Sequence, residues 1–417
     1  MVRGLGCIAA LLFCSTSTLA VAQDSFSRER NVSVRERPRP DYEAMGSHMG
    51  GFILFPKVVG EVVYDDNIFA RPTNEESDTI FRVRPSLQLA SEWSRHSLEA
   101  NASLLRREYA DFKSESATTY SVGAAGRLDV ERFSSVSLNA KHAREIEERT
   151  EIEAAGTSAK PIRYDVDQIT LAGSKQFNRL RLNATYELAS YDYKDASTAQ
   201  GLPLDQDFRD DDVTTVSLRV DYAISPDTFL FVRGSWNQHE FDTPAGALSS
   251  DSDGYEITAG ADFDLTNLMR GQIEVGILRQ DFDVAQFGKF SGAQIRGRVE
   301  YFPTQLTTVT LNASRNVQDS GIPGAAGYLS SAAGLQIDHE LMRNVILTAR
   351  GDYEHAKYRG ISRTDDRYNF SLGGSYLMNR NIGLSLTYNY LNQSSGGLRG
   401  GFDFEDNRLM ATVTLQY

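Results

Sequence analysis

Residues 407–417 read Asn-Arg-Leu-Met-Ala-Thr-Val-Thr-Leu-Gln-Tyr. Apolar or aromatic side chains fall on every second position, at Leu409, Ala411, Val413, Leu415 and Tyr417. A period of two predicts a β-strand whose two faces meet different surroundings. A strand at this position leaves an open edge unless another strand pairs with it. We therefore expect it to close a sheet that the rest of the chain supplies.

The same alternation recurs from Gly51 onward. Clear examples are residues 119–131, 216–224, 255–265, 295–301 and 345–353. In each run, apolar and small side chains occupy one face, while charged and polar side chains occupy the other. This pattern predicts strands that face lipid hydrocarbon on one side and water on the other.

The connections between these runs alternate in length. Short turns are predicted at Glu92–Arg95, Glu131–Ser134, Phe177–Arg179, Ser225–Asp227, Thr266–Met269, Phe302–Gln305, Leu341–Asn344 and Met378–Asn381. Longer polar loops are predicted at Asp65–Asp78, Asp111–Ala117, Arg149–Arg163, Lys194–Asp210, Asp242–Asp253, Asp283–Gly288, Asp319–Ala326, Gly360–Asp366 and Asn392–Glu405. These connections imply about eighteen strands, or sixteen if some boundaries are misplaced.

The predicted fold is all-β: a transmembrane antiparallel up-and-down β-barrel over residues 51–417. In hydrocarbon every backbone polar group needs a partner within the protein, which a closed sheet provides. A soluble sandwich or solenoid would not need charges on the inner face of nearly every strand. A barrel of about eighteen strands is too wide for side chains to fill, so its lumen should hold water.

The N-terminus predicts export from the cytoplasm. Arg3, a short apolar core and the Ala20-Val21-Ala22 site together indicate a signal peptide over residues 1–22. Cys7 and Cys14 are the only cysteines, so the expected mature chain has no thiol or disulfide. Residues 23–50 are polar and contain proline without any period, and we expect a disordered periplasmic lead-in there.

The formal net charge of −13 disfavours nucleic acid as a partner. No later stretch approaches the roughly 18 consecutive apolar residues of a membrane helix. Acidic loops such as Asp205–Asp212 could bind divalent cations together with lipopolysaccharide, or could simply keep the loops soluble.

Two stretches carry a resemblance to a known family. The first hairpin contains Gly51-Phe52-Ile53-Leu54-Phe55-Pro56, the segment Tyr64–Ala70, and Arg84-Pro85-Ser86. With the terminal aromatic strand, it resembles the putative beta-barrel porin type 2 family of Gram-negative bacteria. The resemblance implies the outer membrane. The alternation of short turns and long loops predicts that the short turns face the periplasm, and an even number of strands then places both termini there. The resemblance also implies membrane lipids, lipopolysaccharide and the barrel-assembly machinery as partners, the last through the terminal strand. Some members are similar to the outer-membrane components of exopolysaccharide secretion systems. The resemblance therefore also implies such an export role for this chain, with other export components as partners.

Charged side chains on the inner face are the candidate pore-lining residues. They are Arg82, Arg84, Arg127, Asp129, Arg219, Asp221, Asp262, Asp264, Arg296, Arg298, Glu300, Arg350, Asp352 and Glu354. Charges on a pore wall set ion selectivity and hold water. The same charges can also form ion pairs that stiffen the wall.

No catalytic, cofactor or metal site is expected. Asp65-Asp66-Asn67 could bind calcium, but the segment lacks the glycine and distal glutamate of an EF-hand, and capping of the strand end is the preferred interpretation. His142, His239 and His339 lie on predicted strands without a metal-binding motif. The favoured function is a porin-like channel with a water-filled, charge-lined lumen, narrowed by an inward-folded loop. The alternatives are a non-conducting scaffold or adhesin, and a barrel-embedded hydrolase of the lipase type.

Overall fold

The computed structural model describes residues 32–154, 158–243, 248–265 and 268–417. The expected signal peptide, residues 1–22, lies outside these ranges. In chain order the strands are β1 Ser47–Met49, β2 Phe52–Asp65, β3 Asp78–Ser91, β4 Ser97–Tyr109, β5 Ala117–Glu131, β6 Ser134–Ile146, β7 Arg163–Phe177, β8 Leu180–Tyr193, β9 Ala196–Ser197, β10 Pro203–Leu204, β11 Asp211–Ser225, β12 Thr228–Phe241, β13 Ser252–Leu265, β14 Met269–Phe282, β15 Lys289–Thr304, β16 Thr307–Gln318, β17 Gly327–Met342, β18 Val345–Arg359, β19 Thr364–Leu377, β20 Ile382–Gly396 and β21 Phe404–Gln416. Two single-turn 3₁₀ helices, Lys113–Glu115 and Asp207–Arg209, lie in long loops.

Eighteen long strands, β2 to β8 and β11 to β21, pair in sequence order to form one antiparallel ring. The ring closes between β2 and β21, where Lys57 lies opposite Gln416 and Asp65 opposite Arg408. The predicted barrel of eighteen strands is therefore confirmed, as is the closing role of the terminal strand. Short and long connections alternate between these strands as the sequence predicts.

The pleat places apolar side chains outside and charged side chains inside. On β5, for example, Val122, Leu128 and Val130 are exposed on the outer surface. Fully buried acidic residues such as Asp221 and Glu274 lie on the inner side of the wall, beside arginines. An apolar band that runs around the whole outer surface needs a lipid environment, since a water-soluble protein rarely exposes one.

Among the described residues, no helix has the length and apolar composition required to cross a lipid bilayer.

Residues 32–50 differ from the disordered lead-in that the sequence predicts; residues 23–31 lie outside the described ranges. We call residues 32–50 the N-terminal strap. Its Val34 is fully buried, and the Val34 N–H donates to Thr308 Oγ1 over 2.9 Å. Further along, β1 pairs with Phe52–Leu54 of β2. Composition suggests disorder for a polar segment, but its arginines find carboxylates on the barrel wall, and these ion pairs order it.

Candidate functional site

The predicted pore-lining residues form ion pairs along the inner wall. Four pairs lie two residues apart on one strand: Arg127–Asp129, Arg219–Asp221, Arg298–Glu300 and Arg350–Asp352. Residues at this spacing share a face of a strand, so each arginine reaches its own acid without crossing the sheet. The interpretation as wall-stiffening ion pairs is thus supported by the geometry.

Other predicted residues pair between strands or face the open lumen. Asp262 pairs with Arg219, and Arg296 pairs with Glu274. Glu354 accepts a hydrogen bond from Ser330 Oγ over 2.6 Å. Asp264 is half-buried near a short turn, and Arg82 is buried near the closing strands. The barrel encloses a cavity of about 2010 Å³, whose lining includes Arg84, Arg127, Arg298, Glu300 and Glu354.

A long loop folds into this cavity. It comprises residues 147–162, between β6 and β7, and we call it the lumen loop; residues 155–157 lie outside the described ranges. The loop leaves the wall at β6, yet it contacts β19 and the loop between β16 and β17. Those elements lie on the opposite side of the ring in strand order. The lumen loop therefore crosses the channel from one wall to the other.

Three ion pairs hold the lumen loop on the side where it begins. Arg149 binds Glu115 through two hydrogen bonds of 2.9 and 3.0 Å. Glu148 lies 2.6 Å from Arg107 of β4. Glu147 accepts a hydrogen bond of 2.7 Å from Arg209. Paired guanidinium and carboxylate groups of this kind give strong, directional contacts.

On the far side, the lumen loop is held by neutral donors and by arginines. Glu153 accepts hydrogen bonds from Ser320 Oγ over 2.7 Å and from the Gly321 N–H over 2.6 Å. Arg363 Nη2 donates to the Ile152 carbonyl over 2.7 Å. The Ile152 side chain also packs against a buried cluster formed by Ala325, Tyr328, Ala356 and Tyr358.

Two buried glutamates of the lumen loop have pKa values that are shifted in opposite directions. Burial alone would raise the pKa of Glu148, but Arg107, Arg82 and Arg408 together hold this pKa below its ordinary value. Glu151 behaves in the opposite way. Burial raises the pKa of Glu151 to about 8, and the neighbouring charges of Glu147 and Glu148 add to the rise.

The sequence predicts an inward-folded loop but does not show which loop or which residues form it. The signal that could have located it is the run Glu145-Ile146-Glu147-Glu148-Arg149-Thr150-Glu151-Ile152-Glu153. Five acids in nine residues are a dense cluster of negative charge, and they match the arginines on the facing wall.

The segment Asp65-Asp66-Asn67 shapes the end of β2. Asp65 Oδ1 accepts the Asn67 N–H over 3.0 Å, and Asp66 accepts both the N–H and the side-chain amide of Asn407. Asp65 also pairs with Arg408 over 2.9 Å. Carboxylate oxygens of Asp65, Asp66 and Asp406 lie within 4.8 Å of one another. The contacts of these groups support the capping interpretation over the calcium alternative.

The three strand histidines occupy different surroundings. His142 contacts Asp167 over 2.8 Å and Tyr120 over 3.2 Å. His239 is buried, with Nδ1 lying 3.1 Å from Asp211 and 3.3 Å from Asp319. His339 Nδ1 lies 3.0 Å from Thr307 Oγ1. The structure therefore does not bring the three histidines together into one site.

A closed sheet with an apolar exterior, a charged interior and a loop folded into the lumen defines an outer-membrane β-barrel of the porin class. The family model described as putative beta-barrel porin 2 matches residues 39–417, and the chain belongs to that family. The resemblance seen in the first hairpin and the terminal strand is therefore confirmed.

Three solved structures are reported as similar to this chain. Pseudomonas aeruginosa OccK2 (OpdF) has a TM-score of 0.48 and 10% identity, over 88% of this chain and 98% of that one. Acinetobacter baumannii OccAB3 has a TM-score of 0.48 and 9% identity, over 88% of this chain and 100% of that one. The ferric enterobactin receptor PfeA of P. aeruginosa, solved as a mutant, has a TM-score of 0.47 and 6% identity, over 87% of this chain and 80% of that one. No curated protein sequence matches the chain.

Proposed function

We propose that this protein is a passive diffusion channel of the outer membrane, in which the lumen loop forms the narrowest cross-section. The main support is one observation: a loop anchored on both walls crosses an otherwise open, charge-lined cavity. Such a loop narrows the passage without filling it. The pore-lining ion pairs keep the wall wet and rigid, which favours permeation of polar solutes.

We also propose how the barrel is oriented in the outer membrane. Family members are outer-membrane barrels, and in bacterial barrels the short turns face the periplasm. We therefore place both described chain ends, together with the N-terminal strap, on the periplasmic side. The lumen loop then faces the cell exterior. Export of exopolysaccharide stays an expectation from the family resemblance, and a deletion strain that secretes its polysaccharide normally would argue against it.

Reconstitution in a planar lipid bilayer tests the channel function. Purified barrel, refolded in detergent, should produce discrete conductance steps in potassium chloride. A folded barrel that inserts but passes no ions would rule out the channel and favour the scaffold or adhesin alternative. Hydrolysis of phospholipid vesicles by the same preparation would instead favour the hydrolase alternative.

The raised pKa of Glu151 predicts a pH-dependent conductance. With a pKa of about 8, Glu151 is largely protonated at pH 7 and largely ionised at pH 9. Because the raised pKa belongs to the docked loop, docking is most favoured below the ordinary glutamate pKa of 4.5, weakens progressively as the pH rises from 4.5 to 8, and changes little above 8. A Glu151 carboxylate beside Glu147 and Glu148 should loosen the loop, so single-channel conductance should increase between pH 5 and pH 9.

The variant Glu151→Gln should abolish most of this increase, because glutamine has no charge to gain. Glu108→Gln is a matched control, since Glu108 is exposed and lies outside the loop. If the conductance of Glu151→Gln rises with pH as much as that of the parent, another group is responsible and the assignment to Glu151 is wrong.

A further inference from the structure

The N-terminal strap runs along the inner rim of the barrel at the short-turn end. Arg35 Nε lies 2.7 Å from Asp338 Oδ1, and Arg37 and Arg39 each lie 2.9 Å from Glu340 Oε2. Glu36 reaches Arg270 of β14. The strap thus follows the wall from β14 to β18 and lines the cavity.

Beyond residue 39 the strap continues along the rim towards the closing strands. Arg380 Nε donates to the Pro40 carbonyl over 3.0 Å. Gln416 Nε2 donates to the Tyr42 carbonyl over 3.3 Å. Both contacts use backbone carbonyls of the strap, so they do not depend on the side chains of Pro40 and Tyr42.

The ion pairs at this rim are asymmetric in their exposure to water. The side chains of Asp338, Glu340 and Glu300 are only 3–4% exposed. Three of their arginine partners are much more open: Arg298 is 62% exposed, Arg343 is 55% exposed and Arg35 is 33% exposed. Arg37 and Arg270 are half-buried and Arg39 is buried, whereas Glu36 of the strap is exposed. The wall carboxylates are thus buried, and Arg35 and Arg298 line the cavity.

The net charge at this rim is also positive. On the β14 to β18 side, six arginines meet five carboxylates. The arginines are Arg35, Arg37, Arg39, Arg270, Arg298 and Arg343, and the carboxylates are Glu36, Glu43, Glu300, Asp338 and Glu340. Further along the strap, Asp41 lies 4.0 Å from Arg380, which adds one charge of each sign.

We propose that the strap makes the short-turn mouth a cation-lined collar that selects solutes bearing an oxyanion, a carboxylate or a phosphate. Guanidinium groups bind both kinds of oxyanion through paired hydrogen bonds. A row of arginines along one side of a pore mouth also raises the local anion concentration and disfavours cations. The inference rests on the proposed channel function and adds the class of solute and the residues that select it.

Two double variants remove cations from the collar without leaving a buried acid without a partner. In Arg298→Gln/Arg343→Gln, Glu300 keeps Arg270, and Glu340 keeps Arg37 and Arg39. In Arg35→Gln/Arg37→Gln, Asp338 keeps its hydrogen bonds from Gln336 and Thr348, and Glu340 keeps Arg39. The matched control is Arg144→Gln/Arg279→Gln, since these arginines lie on the outer face with the same loss of charge.

The readout is the reversal potential across a bilayer with a potassium chloride gradient. We expect the parent to prefer chloride, and each collar variant to lose at least about half of the anion-to-cation permeability ratio. The control variant should keep the parent ratio. Millimolar citrate or inorganic phosphate should reduce chloride current in the parent and less so in the collar variants, and the more effective of the two identifies the preferred oxyanion.

The outcomes separate the two proposals. An inserted parent barrel without conductance would defeat the channel function itself. A conducting parent without chloride preference, or collar variants that keep the parent ratio, would overturn the collar while leaving the channel intact. An equal change in the control variant would also overturn it, because general surface charge would then explain the effect. Heat-dependent mobility on gels checks that each variant is folded.

Discussion

Replacing residues 148–161 with a short glycine-serine linker should raise single-channel conductance about two- to threefold, because the obstacle across the lumen is removed. The lumen loop is held by Glu115 and Arg209 on one side and by Ser320 and Gly321 on the other. Conductance depends on the narrowest cross-section, and this loop crosses the channel. The measurement is single-channel recording of the refolded variant at fixed salt concentration.

A matched control shortens a different loop. Residues 72–75 lie in the long loop between β2 and β3 and are exposed, so their replacement by two glycines should leave conductance unchanged. A milder variant, Glu153→Ala, removes the hydrogen bonds to Ser320 and Gly321 and should increase current noise as the loop detaches from the far wall. An unchanged conductance in the loop-replacement variant would show that the constriction lies elsewhere.

The substitution Arg408→Met should destabilise the barrel by about 3–5 kcal/mol, the usual cost of removing one member of a buried ion pair. Arg408 lies at the closure between β2 and β21, where it binds Asp65 over 2.9 Å and Asp406 over 2.7 Å. Both carboxylates are almost fully buried, so neither can turn to water once the guanidinium is lost. Urea-induced unfolding of the protein in lipid vesicles measures the change.

Two further variants separate the ion pair from general effects. Asp65→Asn/Asp406→Asn/Arg408→Met removes all three charges and should recover most of the lost stability. Arg144→Met breaks an outer-face pair with Asp165, in which Arg144 is 39% exposed and Asp165 keeps Lys194 as a second partner, so it should cost below about 1 kcal/mol. If Arg408→Met unfolds at the urea concentration of the parent, the closure does not depend on this arginine.

The barrel itself could be predicted from the sequence because its signals are local. The alternation that places Val122, Leu128 and Val130 outside is a property of one strand, and each short turn is a property of a few residues. The Arg-x-Asp pairs, such as Arg127–Asp129, follow from the same period of two. These features need no knowledge of distant parts of the chain.

The lumen loop and the N-terminal strap could not be located in this way. Arg35 and Glu153 belong to polar segments without any period, and composition alone suggests that such segments stay in solvent. Their positions depend on partners such as Asp338 and Ser320, which come from distant strands or loops. Only the assembled ring brings these groups within reach.

The strap also sets an order of events during biogenesis. Val34, Arg35 and Arg39 make contacts with residues 274, 303 and 304 positions later in the chain. Contacts of such high sequence separation carry a large loop-closure cost and form late. The strap therefore cannot dock until β16, β17 and the turn at Arg343 have formed. Its docking is a late step of folding.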